Sequence, residues 1–477
     1  MVSLEKLNDE QLEIFQALAN GENAFITGEA GTGKSFLINT FSEWCYENKI
    51  NLMKLAPTGV AAINIDGATI HSQFELDLGV LTRQDFLVPD AVKKADIILI
   101  DEIGMVRMDV FDCICGKMQT ANTLRAGEKK KPLQLILVGD FSQLPPVIVP
   151  KEKIVLAQVY GTDVGKGFAF QSTFWQDLGI KTYVLHDIMR QKDEAFCKVL
   201  SKLRFGDLSG VPFIKENCSK KPIEDAIWLT GKNTTASQIN ENSLKKIDSE
   251  EYTSYIVKQG EISPSDYPCD DVLKFKVGAK VMMLLNSPLG FKNGDMGVIE
   301  TYFPKEQKVK ILMNDGEHYI VGKEDFKNYK YKVSKEEKET KIEKTEIGKA
   351  TQFPFKLAYA ITVHKSQGQT FEAINFIPEL FDDGQFYVAI SRCKSIDKIF
   401  IYGNVPTSMI KTAKEVIKFY NDPANYSFFA SKFTEVKIET SKYEQLIKPL
   451  LENEDLYKSA LLAVERKMML NKYKSPR

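Results

Sequence analysis

A glycine-rich loop that ends in a lysine and a serine carries the strongest chemical signal in the sequence. The segment GEAGTGKS begins at Gly28 and fits the spacing G-x-x-x-x-G-K-[ST]. Because Gly31 and Gly33 have no Cβ, backbone N–H groups can approach oxygen atoms closely and point at phosphates. Lys34 would neutralise the charge of the β- and γ-phosphates, and the Ser35 hydroxyl would ligate Mg²⁺. The loop therefore predicts a nucleoside triphosphate site rather than a flexible glycine-rich turn.

Two acidic residues follow a second apolar segment. Ile97 to Ile100 form a continuous apolar run, as expected of a strand that is buried on both faces. Asp101 and Glu102 stand at its carboxyl end, where parallel sheets bind ligands. We expect Asp101 to hold Mg²⁺ through water, and Glu102 to polarise the attacking water as a general base. Alone, the two carboxylates would fit a solvated turn equally well, and the glycine loop upstream favours the catalytic interpretation.

A third apolar segment, residues 133–147, also ends in polar residues. Gln143 is expected to hydrogen-bond the γ-phosphate or the attacking water. Pro145 and Pro146 stiffen the exit from this turn, because each proline fixes its own φ. A surface glutamine in a β-turn is the alternative. With the two segments before it, this one favours Mg²⁺-dependent hydrolysis of a nucleoside triphosphate.

A polar cluster in the second half of the chain raises a different possibility. It consists of Thr362, His364, Lys365, Ser366 and Gln367. A serine nucleophile needs a base that faces it and a third group that orients the base. Adjacent residues of a strand and turn point in different directions, and the pattern G-x-S-x-G is absent around Ser366. The cluster is therefore predicted to contact phosphates rather than to carry a nucleophile.

Two arginines at the ends of predicted elements, Arg190 and Arg392, suit the stabilisation of transferred phosphate. The transition state of phosphoryl transfer spreads negative charge over three oxygens, and an arginine there can contribute about 10³–10⁵ in rate. If both arginines come from a second domain, the site is complete only when the domains close. Hydrolysis would then be coupled to domain motion. A surface ion pair is the alternative for each arginine alone.

Composition limits the classes of protein to which the chain can belong. Its 477 residues allow two or three domains, and 43% apolar with 27% charged residues is typical of globular proteins. No apolar run is long enough to span a membrane, and the charged N-terminus lacks a signal-peptide core, which predicts a cytoplasmic or nucleoid-associated protein. Seven scattered cysteines and four histidines show no metal-ligand spacing. With a formal net charge of −1, a polyanion would have to be held by basic groups concentrated locally.

Repeated strand-then-helix patterns predict the fold class, α/β, with a second α/β domain after the first. They recur in residues 180–191, 225–244, 352–371 and 384–403. Residues 272–350 change to short β patterns with turn signals such as Asn293-Gly294. The sequence therefore predicts two α/β domains with a β insertion.

The motifs in this order resemble those of superfamily 1 helicases of the 5′→3′ class, and most closely those of the Pif (petite integration frequency) family of DNA helicases. The matching segments, within roughly residues 5–405, are LNDEQ, GEAGTGKS, LAPTGVAAINIDGATIHS, IDEIGM, VGDFSQLPPV, MRQ, VHKSQGQT and YVAISRCKS. Residues 108–136 depart from the family pattern, because Lys-Lys-Lys-Pro stands where the family often has Phe-Gly-Gly before the strand. RecD-type and phage Dda-type helicases remain alternatives.

The resemblance implies two RecA-like P-loop domains with parallel sheets, a small inserted wedge and an SH3-like β-barrel. The residues it implies for nucleotide binding are Gln11 at the adenine edge, Gly28, Ala30, Gly31, Thr32, Gly33, Lys34, Ser35, Gln367 and Gly368. Those it implies for DNA binding are Thr58, Gly59, His71, Ser72, Thr362, His364 and Lys365. Helix capping stays open as a local alternative for Thr58 and Ser72, and Gln11 has capping-box spacing from Asn8.

The predicted domains follow the same comparison. The first RecA-like domain is 1–180 with a wedge at 73–94, the second is 181–271 and 351–421, the SH3-like insertion is 272–350, and a helical extension is 422–477. Spacing of Leu, Ala and Met near 456–470 suggests one amphipathic helix there. The charge-rich run 334–346 is predicted to be a solvated arm.

The predicted function is an ATP-driven, Mg²⁺-dependent DNA helicase that translocates 5′→3′ on single-stranded DNA and unwinds forked duplex, with a monomer as the expected state. Polarity is implied by the resemblance alone, as are roles in DNA repair, recombination and telomere maintenance. The alternatives are an RNA-remodelling helicase of the same superfamily and a P-loop ATPase switch that does not translocate.

Overall fold

The computed structural model describes residues 4–77, 79–81, 87–191, 193–336, 339–405 and 407–422. The helices are α1 (Asp9–Ala19), α2 (Lys34–Glu47), α3 (Gly59–Asn64), α4 (Ile70–Phe74), α5 (Asp90–Lys94), α6 (Met108–Gly127), α7 (Pro150–Tyr160), α8 (Phe174–Asp177), α9 (Glu194–Arg204), α10 (Val211–Asn217), α11 (Asn233–Lys245), α12 (Gln385–Ser391) and α13 (Lys414–Asn421). The predicted C-terminal extension lies outside the described residues beyond position 422. No helix in the described part is long and apolar enough to cross a membrane.

The strands alternate with these helices in the two parallel sheets. They are β1 (Ala24–Gly28), β2 (Leu52–Ala56), β3 (Ala68–Thr69), β4 (Ile97–Ile100), β5 (Gln134–Val138), β6 (Lys181–Leu185), β7 (Ile227–Thr230), β8 (Glu251–Tyr255), β9 (Val257–Gly260), β10 (Val272–Lys276), β11 (Lys280–Met283), β12 (Met296–Phe303), β13 (Lys308–Met313), β14 (His318–Val321), β15 (Glu324–Glu336), β16 (Glu339–Gln352), β17 (Phe355–Leu357), β18 (Ala360–Thr362), β19 (Ile374–Ile377) and β20 (Ile399–Ile401).

The first sheet has six parallel strands in the order β3-β2-β4-β5-β1-β6. Strands β1, β4 and β5 are buried along their whole length, as their continuous apolar runs predict. One face packs on α1 and α2 and the other on α6. Because the strands are parallel, the carboxyl ends of β1, β4 and β5 meet at one edge, where the predicted site residues follow them.

The second sheet has four parallel strands in the order β18-β7-β19-β20. Its core is formed by apolar side chains of α9, α10 and α12 together with those of the strands. The two parallel sheets confirm the predicted α/β class with two RecA-like domains.

Two elements join the first domain although the predicted boundaries gave them to the second. Strand β6 pairs with β1 from Lys181 to Leu185, because β1 would otherwise be an unpaired edge. Helix α13 packs Phe419 on Phe25 and Phe141, with ring centroids 6.1 and 5.3 Å apart. The helix predicted to close the second domain therefore covers the core of the first.

The inserted segment is antiparallel. A five-stranded sheet in the order β14-β13-β12-β11-β17 shares one apolar core with a separate ribbon of β8 and β10. Asn293 and Gly294 lie in the loop that joins β11 to β12. Ribbon and sheet pack through side chains rather than through one continuous ladder of hydrogen bonds, so the SH3-like barrel stays a prediction.

A long hairpin of β15 and β16 extends from the insertion to the first domain. Tyr331 is buried there: its N–H donates to Oε1 of Gln73 at 2.6 Å, and its hydroxyl accepts from the N–H of Lys54 at 3.2 Å. Lys344, in the run predicted to be a solvated arm, pairs with Asp66. The arm prediction is therefore wrong for the flank of the hairpin, because that flank binds the first domain. The wedge predicted for 73–94 includes residues outside the described part, and its role stays a prediction.

Candidate active site

The glycine loop passes between α1 and the segment that follows β6. Gly31 and Gly33 have φ values of 89° and 84°, in the left-handed region that favours glycine. A Cβ on Gly33 would lie 2.5 Å from Nε2 of Gln11, and a Cβ on Gly31 would lie 2.4 Å from Cβ of Arg190. Both glycines are therefore required by backbone conformation and by close packing against two predicted site residues.

Lys34 is held by the loop itself. Its Nζ donates to the carbonyl oxygens of Gly28 at 2.9 Å and of Glu29 at 3.0 Å. Burial lowers the pKa of Lys34 to about 8. Ser35, the next residue, is exposed at the start of α2. Since charge-assisted contacts to anionic oxygen are stronger than those to carbonyls, the amine is in position to exchange these partners for phosphate.

The other loop residues connect to both domains. The N–H of Ala30 donates to the hydroxyl of Tyr387 at 3.0 Å, and Oγ1 of Thr32 donates to the carbonyl of Glu29 at 3.0 Å. Tyr387 lies on α12 of the second domain. It belongs to the segment YVAISRCKS, yet sequence reasoning assigned it no role. The backbone of the phosphate loop is thus hydrogen-bonded to the second domain.

The two carboxylates at the end of β4 lie in a low-polarity environment. The N–H of Glu102 donates to Oδ1 of Asp101 at 2.9 Å, and Glu102 has a left-handed φ of 51°. Burial raises the pKa of Asp101. Burial, with the charge of Asp101, raises the pKa of Glu102 to about 7. A carboxylate with a pKa near the working pH is suited to accept a proton from water.

An ion pair that sequence reasoning missed lies beside this edge. Arg204 on α9 donates to both carboxylate oxygens of Asp140, through Nε at 3.1 Å and Nη2 at 2.9 Å, and both side chains are buried. Although burial opposes it, the charges of Arg204 and Lys34 hold the pKa of Asp140 below its usual value. Arg204 is the last residue of an amphipathic helix, and its partner lies 64 positions earlier in the chain, so no local pattern could have indicated the pair.

Gln143 is buried between the two domains. Its N–H donates to the carbonyl of Asp140 at 3.1 Å, and its own carbonyl packs against Gly384, which precedes α12. The backbone of this turn is thus fixed by contacts from both domains. The hydrogen bond predicted from its side chain to phosphate or water stays a prediction.

Arg190 and Arg392 lie together at the boundary of the domains. Nη1 of Arg190 donates to the carbonyl of Ser391 at 3.2 Å, and Nε of Arg392 donates to the carbonyl of Val388 at 3.0 Å. Burial, with repulsion from Arg190, lowers the pKa of Arg392 to about 9. Within the described residues neither arginine pairs with a carboxylate, so the surface ion-pair alternative does not apply there.

Gln11 satisfies two interpretations at once. Its N–H donates to Oδ1 of Asn8 at 2.8 Å and its Oε1 accepts from the N–H of Asn8 at 3.2 Å, which is the capping box at the start of α1. Its Nε2 also donates to the carbonyl of Gly33 at 3.5 Å. The amide therefore lies on the phosphate loop, and its contact with adenine stays a prediction.

The residues of the first domain that are predicted to contact DNA lie at the starts of two helices, α3 and α4. Oγ1 of Thr58 accepts from the N–H of Ala61 at 3.2 Å, so Thr58 caps α3. Gly59 packs directly on the backbone of Asp266 of the insertion. The cap of α4 is Thr69 rather than Ser72, because α4 begins three residues earlier than that alternative requires. His71 is half-buried on α4, and burial lowers its pKa.

The polar cluster of the second domain is not a nucleophile site. The Ser366 side chain is fully buried and its hydroxyl donates to the carbonyl of Val363 at 2.7 Å. His364 stacks on Phe381 with ring centroids 5.8 Å apart, and Lys365 is exposed. Thr362 is buried at the end of β18, where its Oγ1 accepts from the N–H of Lys365 at 3.4 Å.

Gln367 and Gly368 face the first domain. Nε2 of Gln367 donates to Oε2 of Glu102 at 2.9 Å. A Cβ on Gly368, which has a left-handed φ of 77°, would lie 3.9 Å from Nδ2 of Asn64. The structure therefore brings the glycine loop, the two carboxylates, both arginines and Gln367 to one cleft between the sheets. The residues predicted to contact DNA lie at the starts of α3 and α4 in the first domain and at the end of β18 or directly after it in the second.

Comparison with known proteins identifies this arrangement. A family model described as PIF1-like helicase matches residues 6–210. The ATP-dependent DNA helicase Pif1 of Campylobacter jejuni is 30% identical over 444 residues, which cover 84% of this chain and 94% of that protein. The chain belongs to the PIF1-like helicase family. The Pif1 helicase of Bdellovibrio bacteriovorus, also 30% identical, supports the same membership over 87% of this chain and 92% of its own.

Solved structures of PIF1-like helicases share the fold. Bacteroides sp Pif1 in complex with ADP-AlF4 has a TM-score of 0.73 at 30% identity, covering 87% of this chain and 96% of that one. The unliganded form has a TM-score of 0.72 at 31% identity over the same shares. Membership confirms the predicted family, the fold class and the enzyme class, an ATP-dependent DNA helicase. It replaces the RecD-type and Dda-type alternatives.

Proposed function

We propose that this PIF1-like helicase hydrolyses Mg–ATP between its two RecA-like domains, moves 5′→3′ along single-stranded DNA and unwinds forked duplex. The observation that carries the proposal is the hydrogen bond from Gln367 of the second domain to Glu102 of the first. Gln367 follows His364 and Lys365, the predicted phosphate contacts, on one short loop. Movement of DNA on that loop can therefore reach the residue that activates water. Roles in DNA repair, recombination and telomere maintenance fit this family.

The side chains at the start of α2 and after β4 fit a Mg²⁺ ion that accompanies ATP. Ser35 offers an exposed hydroxyl, and Asp101 offers a carboxylate with one oxygen already bound to a backbone N–H. Mg²⁺ in nucleotide sites takes one or two protein ligands and fills its other positions with phosphate and water. When bound, the ion would neutralise phosphate charge.

The chemistry would be divided between the domains. Glu102 of the first domain, whose pKa burial raises to about 7, would take the proton of the attacking water. Arg190 and Arg392 would stabilise the charge of the transferred phosphoryl group. Because carbonyl and hydroxyl groups hold both guanidinium groups, neither positive charge is neutralised before phosphate binds. Opening of the cleft would separate the base from its glutamine partner and stop hydrolysis.

The nucleic acid would lie across both domains. Its contacts would be Thr58, Gly59, His71 and Ser72 in the first domain and Thr362, His364 and Lys365 in the second. Backbone contacts predict little sequence preference and a steep dependence on salt. One related Bacteroides Pif1 structure is bound to ssDNA, and a further solved structure concerns unwinding at forked dsDNA by two coordinating Pif1 helicases. These relatives support a DNA substrate, and the number of chains acting together on a fork is part of the test.

A steady-state ATPase assay with and without oligo-dT tests the proposal. We expect strong stimulation by the single strand, and no hydrolysis in Lys34→Ala, which loses the cation that binds phosphate. An equal rate with and without nucleic acid would favour an ATPase switch that does not translocate. Stimulation by ribo-oligomers in preference to oligo-dT would favour RNA remodelling.

Polarity and stoichiometry need a second assay. We expect unwinding of a duplex with a 5′ single-stranded tail and none with a 3′ tail. Activity confined to the 3′ tail would contradict the polarity. The unwinding rate is then measured against protein concentration at a fixed concentration of forked DNA. A linear rise indicates that one chain acts on a fork, and a sigmoidal rise indicates two.

A further inference from the structure

Lys356 lies in the seam between the inserted antiparallel sheet and the second RecA-like domain. It is the central residue of β17, and side chains alternate across a strand. Its neighbours Phe355 and Leu357 belong to the core of the insertion, so Lys356 faces the opposite side. Its partner in register on β11 is Met282, whose side chain packs in the core of the second domain. The amine therefore enters the seam just before the chain reaches β18.

The charge of Lys356 has no counter-ion in the described part of the chain. The residue is only 7% exposed, and no described oxygen accepts a hydrogen bond from its amine. Burial lowers its pKa to about 8, repulsion from Lys365 adds to this effect, and Asp270 opposes it in part. A buried cation without a partner is costly to fold. The positive charges of Lys356 and Lys365 repel each other, and an anion bound between them would relieve that repulsion.

We propose that Lys356 is a phosphate contact for the bound single strand, acting beside Lys365. This inference rests on the proposed function, because it takes the strand across the loop that carries His364 and Lys365. A phosphodiester reaching the seam would give the amine of this largely buried side chain the anionic partner that the described residues do not provide. The insertion would then contribute directly to the grip of the second domain on the strand.

Replacement of Lys356 by methionine tests the contact. Methionine keeps the unbranched apolar stem and removes the charge, so apparent Tm without DNA should rise or stay constant. Affinity for oligo-dT should fall several-fold at low salt. The slope of log affinity against log salt should fall by about 0.7, which is the loss of one phosphate contact on a single strand. Lys356→Arg, which keeps the charge, should retain most of the slope.

Lys305→Met is the matched control. Lys305 is exposed in the turn after β12, roughly 25 Å along that strand from the end nearest to Met282. We expect wild-type affinity and slope from this variant. Addition of inorganic phosphate at matched ionic strength tests whether the site at Lys356 binds a DNA strand or a free anion. It should leave the oligo-dT affinity and the Tm of the wild type unchanged.

The outcomes are distinguishable from those of the proposed function. If the wild type binds oligo-dT and Lys356→Met keeps its affinity and slope, the contact is overturned while the helicase proposal stands. A Tm that falls in Lys356→Met, or a variant that does not fold, also overturns it, since the amine would then serve the fold. If the salt-dependence slope falls equally in Lys305→Met, the effect comes from net charge alone, and the proposed Lys356 contact is overturned as well. If the wild type does not bind oligo-dT, both proposals fail together.

Discussion

Arg204 and Asp140 form a buried ion pair that joins the two domains. The guanidinium on α9 donates to both carboxylate oxygens at the end of β5, at 2.9 and 3.1 Å. The hydroxyl of Tyr420 lies 3.3 Å from the same carboxylate. Asp140 also attracts Lys34 of the phosphate loop. A helix of the second domain is thereby linked through one carboxylate to the cation that is expected to bind phosphate.

Arg204→Met should destabilise the protein more than any surface charge substitution. The variant leaves Asp140 buried and unpaired, so we expect the free energy of unfolding to fall by about 3–5 kcal/mol. Urea denaturation at neutral pH measures the change. Lys93→Met is the control, since its pair with Asp90 is exposed to water and should contribute little to the free energy of unfolding. Equal losses in the two variants would contradict the buried-pair account.

Acid should remove the contribution of the same pair. The pKa of Asp140 is held below its usual 3.8, so the stabilisation is complete above about that pH and is lost as the pH falls through the folded-state value. We expect wild type and Asp140→Asn to differ most near neutral pH and to converge in acid. Urea denaturation between pH 3 and pH 7 measures both curves. Parallel curves over that range would show that the carboxylate does not titrate as proposed.

Glu102→Gln should bind ATP and hydrolyse it at least about 10²-fold more slowly, as expected for a lost general base. The amide keeps the shape of the side chain and cannot accept a proton from water. Single-turnover hydrolysis measures the chemical step, and fluorescent-nucleotide binding checks that affinity persists. Turnover close to that of the wild type would remove Glu102 from this role.

Gln367→Ala should shift the pH dependence of hydrolysis. The hydrogen bond from Gln367 favours the charged form of Glu102, so its loss should raise the pKa of Glu102 above about 7 and move the acid limb of the rate profile to higher pH. The ratio of DNA-stimulated to unstimulated rate should fall as well. Gln367→Glu, which puts a second carboxylate beside Glu102, should shift the limb further. An unchanged acid limb in both variants would mean that the contact does not act on the base.

Local sequence patterns predicted the elements that carry the chemistry. The apolar run from Ile97 to Ile100 is strand β4 without displacement, and Asp101 and Glu102 follow it at the sheet edge. The spacing of the glycines, Lys34 and Ser35 indicated the phosphate-binding loop, because all the residues of that motif lie within eight consecutive positions. Fold class and family followed from the order of such local signals.

Contacts between distant segments were beyond this reasoning. The pairing of β6 with β1 depends on an open sheet edge more than one hundred and fifty positions away, and α13 covers a core assembled from early strands. Arg204 finds Asp140 across 64 positions. The cap of α4 was displaced by one turn, since Thr69 and Ser72 have the same capping chemistry and only the helix start distinguishes them.

The hairpin of β15 and β16 has a consequence for how far the lobes can travel. Its root continues through β17 of the insertion into β18 of the second lobe, while Tyr331, about halfway along β15, is hydrogen-bonded to Gln73 and Lys54 of the first lobe. The insertion therefore bridges the two lobes. Bending of this two-stranded ribbon can accommodate small openings of the cleft. A large opening would have to break the hydrogen bonds of Tyr331 with Gln73 and Lys54. We therefore expect this contact to limit how far the two lobes can separate.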